Sequence, residues 1–393
     1  KLSALHINHQ INPAAAHWGR FCRAYCKQQG VALKVVKVNV PRTASLEAAA
    51  RQARYAAFAT SPAEFIALAH NLDDQAETVL LQLLRGAGVK GVSAMPELRI
   101  EDRGSRIEHN SQPGLTRNPQ SPIPNPAILR PLLAIPRSEI EAYALSRKLK
   151  WIEDDSNTDV SFDRNFLRHR VLPLIAERYP AYRKTLSRAS RNFAEAAELA
   201  DALAHSDAQF TAAGLNIAAV RRLAAPRAKN ALRFFLAAHG VTMPNASRLA
   251  ECVRQLRQQR AARLTLELGA HELRRFGDEL RVVAKVSPPA PGFCRVWQGE
   301  TRIAMPELGA TLVMKKCRGA GISLKKLQAA PVTVRLRQGG EKLRPDARRP
   351  RRTLKNLMQE AQFAPWMRAR LPLLYCGEAL VYVPGIGIDA AFG

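Results

Sequence analysis

Apolar and polar residues along the first 180 positions follow two alternating periods, which predict strands and helices in turn. The strand-like segments are LSALHI, VALKVVKV and EFIALA. The helix-like segments are PAAAHWGRFCRAYCKQQG and SLEAAARQARYAAFA. Pro13 and Gly30 are typical of the start and end of the first helix, and Ser45 is a favourable cap for the second. Strands that alternate with helices predict an α/β domain with a parallel sheet.

Later segments change in character. Residues 99–127 contain five prolines and no apolar period, so we expect a mobile loop before ILRPLL and a helix at 136–148. Residues 185–275 are mostly amphipathic helix, and VSPPAPG at 286–292 is typical of a linker. Short strands follow, with one helix near RTLKNLMQEA. Three domains are therefore predicted: an α/β domain at 1–184, a helical domain at 185–285, and a small mixed α/β domain at 293–393.

The helix after EFIALA begins with a group of acidic residues, in LAHNLDDQAETVLLQLL. Five apolar residues share one face of it: Leu72, Ala76, Val79, Leu80 and Leu83. Asp74 and Glu77 lie on the opposite face in the first two turns. The helix follows directly from a strand, and ligands of open α/β sheets bind in the crevice at the carboxyl ends of the strands. The acidic residues are therefore candidates for a binding site.

Two interpretations of these carboxylates stay open. The helix dipole favours acidic residues in a first turn by about 0.3–1 kcal/mol each, and Asn71 with Asp74 resembles a capping box. Capping explains Asp73 and Asp74 better than Glu77, and it leaves the preceding His70 unexplained. A site for a metal cation or an amine substrate would use all three carboxylates.

Charge then identifies the class of partner. The 393 residues include 60 Lys and Arg against 33 Asp and Glu, a formal net charge of +27. Such an excess is typical of proteins with a polyanionic partner, most often nucleic acid, and a basic protein of membrane surfaces is the alternative. No apolar run is long enough for a membrane span, and six scattered cysteines indicate a reducing compartment, the cytoplasm, rather than a disulfide framework. The sequence does not determine the oligomeric state, and a homodimer is compatible with it.

Several motifs together resemble one family. HNLDDQAETVLLQLLRGAG is similar to the second signature of the tRNA(Ile)-lysidine synthetases, which belong to the PP-loop ATP pyrophosphatases. EAAARQARYAAF precedes it, and ILRPLLAIPRSEIEAYA and WIEDDSNTDVSFDRNFLRHRVLPLI follow it in the family's order. The stretch from GGEKLRPDARRP to LYCGE resembles the family's tRNA-binding end domain. The resemblance covers essentially the whole chain, and the ordered set is far more specific than any one string.

The resemblance implies a reaction and its participants. ATP adenylates the C2 oxygen of the wobble cytidine in a tRNA(Ile) with a CAU anticodon, and free L-lysine then replaces AMP to form lysidine. Asp74, Glu77 and Arg168 are the catalytic candidates. The candidates for contact with nucleotide or substrate are His70, Asp73, Arg51, Arg54 and Arg164, with His6 and His9 near the nucleotide pocket. Mg²⁺ bound to Asp73 or Asp74 would accompany ATP.

The basic end domain supplies the expected RNA contacts. The candidates are Lys342, Arg344, Arg348, Arg349, Arg351, Arg352 and Lys355, which suit phosphate contact better than base reading. Trp366 and Tyr375 follow as candidate stacking surfaces.

One departure from the family pattern bears on ATP binding. The family's first signature, a Ser-Gly-Gly-x-Asp-Ser loop that holds phosphates on backbone N–H groups, does not occur in these 393 residues. We expect it to precede Lys1, and the chain without it to bind tRNA but not to use ATP productively. Two alternatives remain, a PP-loop tRNA thiolase and a non-catalytic tRNA-binding protein. The absence of Cys-x-x-Cys weakens the first, and carboxylates that would repel phosphate weaken the second.

Overall fold

A computed structural model describes residues 2–41, 46–99, 126–211, 214–258, 264–285, 292–319 and 321–393. Its described residues form two compact units, one up to Ala202 and one from Leu203. The predicted three-domain division stays a prediction, and its first boundary, at 184/185, falls inside the helix Tyr182–Asp207, whose last residues belong to the second unit. No helix among the described residues is long and apolar enough to cross a membrane.

The first unit begins with the predicted parallel strands. β1 (Ser3–Asn8) pairs in parallel with β2 (Ala32–Lys37), and α1 (Ala15–Gln28) connects them. The helix ends before Gly30, whose φ of 67° is accessible to glycine at little cost. The predicted strand–helix–strand order is confirmed here.

A second small sheet carries the acidic helix. β3 (Phe65–Ala67) pairs in parallel with β5 (Ala127–Leu129), to which β4 (Leu98–Arg99) adds antiparallel. The helices of this region are α2 (Leu46–Ala59), α3 (Leu72–Leu84) and α4 (Val89–Val92). The proposed cap Ser45 and most of the expected loop at 99–127 lie outside the described residues. The α3 helix follows β3 after a short connection, as the sequence predicted.

Short helices then complete the first unit. They are α5 (Arg137–Ser146), a 3₁₀ turn (Asp155–Thr158), α6 (Asp163–Phe166), a π turn (Leu167–Val171), α7 (Leu172–Arg178) and the long α8 (Tyr182–Asp207). Ala76 of α3, Leu172 of α7 and Tyr182 of α8 pack in one buried cluster. The π turn joins α6 to α7 directly, and such turns often occur at functional sites.

The second unit begins with a helical region closed by a sheet that the sequence analysis missed. Its elements are β6 (Leu215–Asn216), α9 (Ile217–Arg222), α10 (Ala225–Ala238), α11 (Ala246–Arg257), β7 (Thr265–Leu268), β8 (His271–Phe276) and β9 (Glu279–Ala284). The strands form an antiparallel sheet in the order β6-β9-β8-β7. The expectation of helix up to residue 275 is wrong from Thr265 on. Leu266 and Leu268 alternate with exposed residues, and Gly269 and Gly277 make the tight turns with positive φ.

The end of the chain is mixed, as predicted. Its strands are β10 (Cys294–Val296), β11 (Arg302–Met305), β12 (Ala310–Val313), β13 (Val332–Arg335), β14 (Lys342–Leu343), β15 (Arg352–Thr353), β16 (Leu373–Cys376), β17 (Ala379–Val383) and β18 (Gly387–Ile388). Its helices are α12 (Leu324–Leu327), α13 (Leu354–Glu360) and α14 (Pro365–Arg368). Five strands form one sheet in the order β10-β13-β16-β17-β18. Leu343, Leu354, Met358, Phe363 and Leu373 build a core beneath the basic segment.

Candidate active site and RNA-binding face

The N-terminus of α3 is capped by its own first residues. The Asn71 side chain accepts a hydrogen bond from the backbone N–H of Asp74 at 3.0 Å, and the Asp74 carboxylate accepts one from the Asn71 N–H at 3.0 Å. This reciprocal arrangement is the capping box that the sequence predicted. Capping uses only Oδ2 of Asp74, so its Oδ1 is available to other groups.

Glu77 lies on the predicted face of α3, but that face is covered. Its side chain is 1% exposed, because the segment from α6 to the π turn packs over it. Arg168 donates from Nε to Oε1 at 2.6 Å and from Nη2 to Oε2 at 3.0 Å. Arg164 donates from Nε to Oε2 at 2.8 Å. Both carboxylate oxygens of Glu77 are therefore committed to arginines.

Asp74 is the more accessible carboxylate of the two. Its side chain is 16% exposed, and its Oδ1 lies 3.3 Å from Nη2 of both Arg164 and Arg168. These contacts are longer than those at Glu77, so they are weaker hydrogen bonds. The two arginines, four residues apart across the π turn, thus bridge both acidic residues of α3.

Asp73 points to other elements. Its Oδ1 accepts a hydrogen bond from Nε of Arg183 at 2.5 Å, and its Oδ2 accepts one from the backbone N–H of Arg137 at 2.9 Å. Asp73 therefore does not cap its own helix, which was one of the two interpretations of this residue. It contacts α8 and the start of α5 instead.

His70 lies between the acidic helix and a group of arginines. Burial, together with the positive charges of Arg130, Arg164 and Arg51, lowers its pKa to about 4 against the opposing effect of Asp74. Its Nδ1 is buried without a hydrogen-bond partner among the described residues. The imidazole is therefore neutral at physiological pH and can accept or donate one hydrogen bond to a ligand.

Arg51 and Arg54 of α2 supply charge that the protein does not neutralise. Within the described ranges neither has a carboxylate at ion-pair distance. Arg51 lies over the Tyr55 ring, with its Cζ 4.9 Å from the ring centroid. Burial and the positive charges of Arg51 and Arg164 lower the pKa of Arg54, so cations crowd together here. Crowded guanidinium groups of this kind suit a polyanionic ligand such as a phosphate chain.

Sequence reasoning missed three contributors to this region. Arg130 follows β5 and is 2% exposed, with Nη1 donating to the Pro96 carbonyl at 2.7 Å and Nε lacking a partner in the described structure. Asn165 holds the turn before α6 through the carbonyls of Ser156 and Asp159, at 2.8 and 2.9 Å. Arg183 was a single arginine in a basic stretch. Only the strand-end position of Arg130 carried a signal in the sequence.

The residues present do not fit a Mg²⁺ ion held by Asp73 or Asp74. Mg²⁺ takes six oxygen ligands in near-octahedral geometry, whereas the oxygens of both residues face guanidinium or N–H donors. Among the described residues, no group of three or more His, Cys, Asp or Glu side chains could hold a metal.

His6 contacts Cys22, with the Nδ1 of His6 3.7 Å from the Sγ of Cys22. The Nε2 of His6 and the Nδ1 of His9 are buried and have no hydrogen-bond partner among the described residues.

The basic segment of the second unit is only partly free. Glu360 pairs with Arg352, Asp389 with Arg351 at 3.3 Å, and Asp346 with Arg349 at 3.6 Å. The other four candidates, Lys342, Arg344, Arg348 and Lys355, have no carboxylate at ion-pair distance among the described residues. Of these, Lys342, Arg348 and Lys355 are exposed and Arg344 is half-buried. Three exposed cations without a partner remain for contact with phosphate.

The two expected stacking surfaces differ in exposure. Tyr375 is 7% exposed in the core, and burial raises its pKa to about 12, so its prediction as a stacking surface is wrong. Trp366 is half-buried, with the Cζ of Arg274 5.4 Å from its ring centroid and Phe276 edge-on at 6.0 Å. Strand β16 turns Tyr375 inward, an orientation that composition could not reveal.

Comparison with known proteins identifies the family. The family model of the PP-loop domain matches residues 1–175, that of the TilS substrate binding domain residues 215–281, and that of the TilS substrate C-terminal domain residues 332–393. A tRNA(Ile)-lysidine synthase of Nitrosomonas europaea is 41% identical over 397 residues, which cover 100% of this chain and 82% of that protein. The chain belongs to the tRNA(Ile)-lysidine synthase family.

Other relatives agree. The tRNA(Ile)-lysidine synthase of Coxiella burnetii is 37% identical, covering 100% of this chain and 84% of that protein, and that of Chromobacterium violaceum is 38% identical, covering 99% and 85%. A solved U34-tRNA thiolase, NcsA from Methanococcus maripaludis with its 4Fe-4S cluster, is 16% identical with a TM-score of 0.37, covering 50% of this chain and 62% of that one. That likeness adds nothing to the assignment.

Membership in this family confirms the resemblance found in the sequence, and with it the use of ATP by the PP-loop domain. The matched PP-loop segment contains the three acidic residues of α3, Asp73, Asp74 and Glu77, together with Arg164 and Arg168. It ends before Arg183. The roles of the individual residues stay predictions, since the comparisons test none of them.

Proposed function

We propose that this chain is a tRNA(Ile)-lysidine synthetase. ATP adenylates the C2 oxygen of the wobble cytidine in tRNA(Ile) with a CAU anticodon, and pyrophosphate leaves. The ε-amine of free L-lysine then attacks C2, AMP leaves, and the resulting lysidine changes the codon read from AUG to AUA. The support comes from the three matched domains and from relatives of the same name that align with the whole chain.

The observation that carries this function is the alternation of carboxylates and guanidinium groups at α3. Asp73, Asp74 and Glu77 contribute three negative charges, and Arg164, Arg168 and Arg183 contribute three positive ones. Free lysine carries a side-chain ammonium, an α-ammonium and an α-carboxylate, and the accessible carboxylate of Asp74 beside Arg164 and Arg168 offers it charges of both signs. A site for nucleic acid alone would have no use for the carboxylates.

Asp74 is the group that we assign to the lysine ammonium. Its Oδ1 is the accessible carboxylate oxygen with the longest and weakest contacts to arginine. The ammonium has an ordinary pKa of about 10.4 and must lose a proton before it attacks, so a carboxylate beside it serves both to bind the cation and to direct the proton away. Glu77 holds Arg164 and Arg168 in place next to it.

The arginines meet the demand for positive charge. Adenylation builds negative charge on the phosphate that is attacked and on the departing pyrophosphate, and preorganised cations stabilise it. Arg51 and Arg54 have no carboxylate partner in the described structure and are suited to the phosphates. Arg168, fixed on Glu77, is suited to the adenylyl group.

The remaining predictions about partners fit the same reaction. His70, neutral at physiological pH, is suited to a hydrogen bond with the nucleotide. Lys342, Arg348 and Lys355 are suited to the tRNA backbone, and their contacts would be independent of sequence. The cytoplasm stays the predicted compartment. A homodimer stays a prediction, which gel filtration with light scattering can test.

The test is incorporation of labelled lysine into a tRNA(Ile) transcript with a CAU anticodon. With the family's phosphate loop joined before Lys1, we expect incorporation that requires ATP and disappears when the anticodon is changed to GAU, whereas the 393 residues alone should bind tRNA without incorporation. Asp74→Asn keeps the capping acceptor but removes the charge, so incorporation should fall at least about 100-fold while tRNA binding is retained. Glu141→Gln, which alters an exposed carboxylate on α5, is the matched control. Binding of tRNA without any incorporation by the protein that carries the phosphate loop would favour the non-catalytic alternative.

A further inference from the structure

Asp73 joins three helices through one carboxylate. It belongs to the first turn of α3, its Oδ1 accepts a hydrogen bond from Nε of Arg183 in the first turn of α8, and its Oδ2 accepts one from the N–H of Arg137 in the first turn of α5. The backbone N–H of Leu72 also donates to the carbonyl of Ile135, at 3.0 Å. The start of α3 is therefore tied to α5 by two hydrogen bonds and to α8 by an ion pair.

The start of α5 needs an external partner. Its N-cap position is Pro136, which has no side-chain group able to accept a hydrogen bond from the first turn. The first N–H groups of a helix have no partner within the helix, and a carboxylate at this end is favoured by the dipole. Asp73 provides both the acceptor and the charge, so it acts as a cap supplied by another helix.

The contact with Asp73 explains why an arginine, Arg183, stands in the first turn of α8. A cation in the first turn of α8 is unfavourable beside the positive end of the helix dipole. Its side chain is 38% exposed, its Cζ lies 4.6 Å from the centroid of the Tyr182 ring, and Asp73 is its carboxylate partner. Tyr182 in turn packs with Ala76 of α3 and Leu172 of α7. The ion pair thus lies directly above the apolar contact between α3 and α8.

We propose that Arg183 is a positioning residue for lysidine synthesis, which acts through Asp73 by fixing the rotation of α3. Asp73 and Asp74 are adjacent in the first turn of α3. When the contact of Asp73 with Arg183 fixes the rotation of α3, it also fixes the direction in which the Asp74 side chain points. Arg164 and Arg168 hold the other side through Glu77. This inference rests on the proposed function, and it assigns Asp73 to the framework of the site rather than to substrate or metal.

A double-mutant cycle tests the proposal. Arg183→Ala and Asp73→Ala should each raise KM for lysine and lower kcat/KM about 10- to 100-fold, because a misplaced reacting group costs that order of rate. The double variant should be no worse than Asp73→Ala, since both changes break one contact. Arg183→Lys should recover part of the loss. Arg188→Ala, an exposed arginine of the same helix without a carboxylate partner among the described residues, is the control and should behave as the unaltered protein.

Hydrogen exchange measured by mass spectrometry separates this inference from the proposed function. Asp73→Ala and Arg183→Ala should accelerate exchange at the start of α5 and α3, whether or not the protein makes lysidine. Inactivity of the protein that carries the phosphate loop would therefore refute the function, while the exchange data would still show whether the contact between Asp73 and Arg183 holds α3 and α5.

Three results would overturn the proposal. They are an Arg183→Ala variant with unchanged KM for lysine, additive losses in the double variant, and unchanged exchange at α5. Loss of fold alone would lower kcat by reducing the active fraction and would leave KM unchanged.

Discussion

Replacement of Glu77 by Gln is the change whose consequence the structure specifies most sharply. The side chain is 1% exposed and accepts hydrogen bonds from Arg168 and Arg164 at 2.6–3.0 Å. Removing one partner of a buried ion pair costs about 3–5 kcal/mol, but these arginines are 23% and 29% exposed, so solvent offsets part of that loss. Gln also keeps one acceptor oxygen. We therefore expect the free energy of unfolding of the first unit to fall by about 2–3 kcal/mol.

The loss should be large enough to measure in one unit of a two-unit protein. For a unit of this size it corresponds to a decrease in Tm of about 4–10 °C. Urea unfolding followed by hydrogen exchange in α3 and α6 reports on the first unit alone. The matched control is Glu141→Gln, whose exposed pair with Arg137 should contribute at most about 1 kcal/mol.

One result would refute this reasoning. If Glu77→Gln were as stable as the unaltered protein and only raised KM for lysine, Glu77 would be a ligand of the substrate rather than the anchor of two arginines.

Three further predictions follow from the geometry. The pKa of His70 is about 4 in the folded protein and 6.5 in the unfolded chain, so unfolding takes up a proton between these pH values and the free energy of unfolding falls as the pH drops from 6.5 to 4. His70→Gln should remove up to about 3 kcal/mol of this pH dependence, measured by unfolding curves at a series of pH values. An equal pH dependence in the variant and the unaltered protein would contradict this prediction. Arg54→Ala should raise KM for ATP about tenfold and leave tRNA binding unchanged in filter assays. Joint replacement of Lys342, Arg348 and Lys355 by Ala should lower the salt dependence of tRNA binding by about one unit of slope per lost phosphate contact, whereas an unchanged slope would show that tRNA binds elsewhere.

The sequence predicted features that depend on neighbours along the chain. The capping box of Asn71 and Asp74 is set by residues three apart, and the strand-helix order of the first unit by periods of two and 3.6 residues. Arg164 and Arg168 could be assigned to one side of a helix from their spacing of four. The hairpin of β7 and β8 was missed because its strands are short and follow a strongly helical segment.

The sequence by itself thus determined the family, the elements of the first unit and the identity of the acidic helix. Only the tertiary structure decided what the carboxylates face. Glu77 meets Arg164 from 87 positions away, and Asp73 meets Arg183 from 110 positions away. Pairs so distant depend on how α3, α5, α6 and α8 pack, and no local spacing encodes that packing. The burial of Tyr375 has the same cause, because the direction of a strand side chain follows from the sheet and from the core against which the sheet packs.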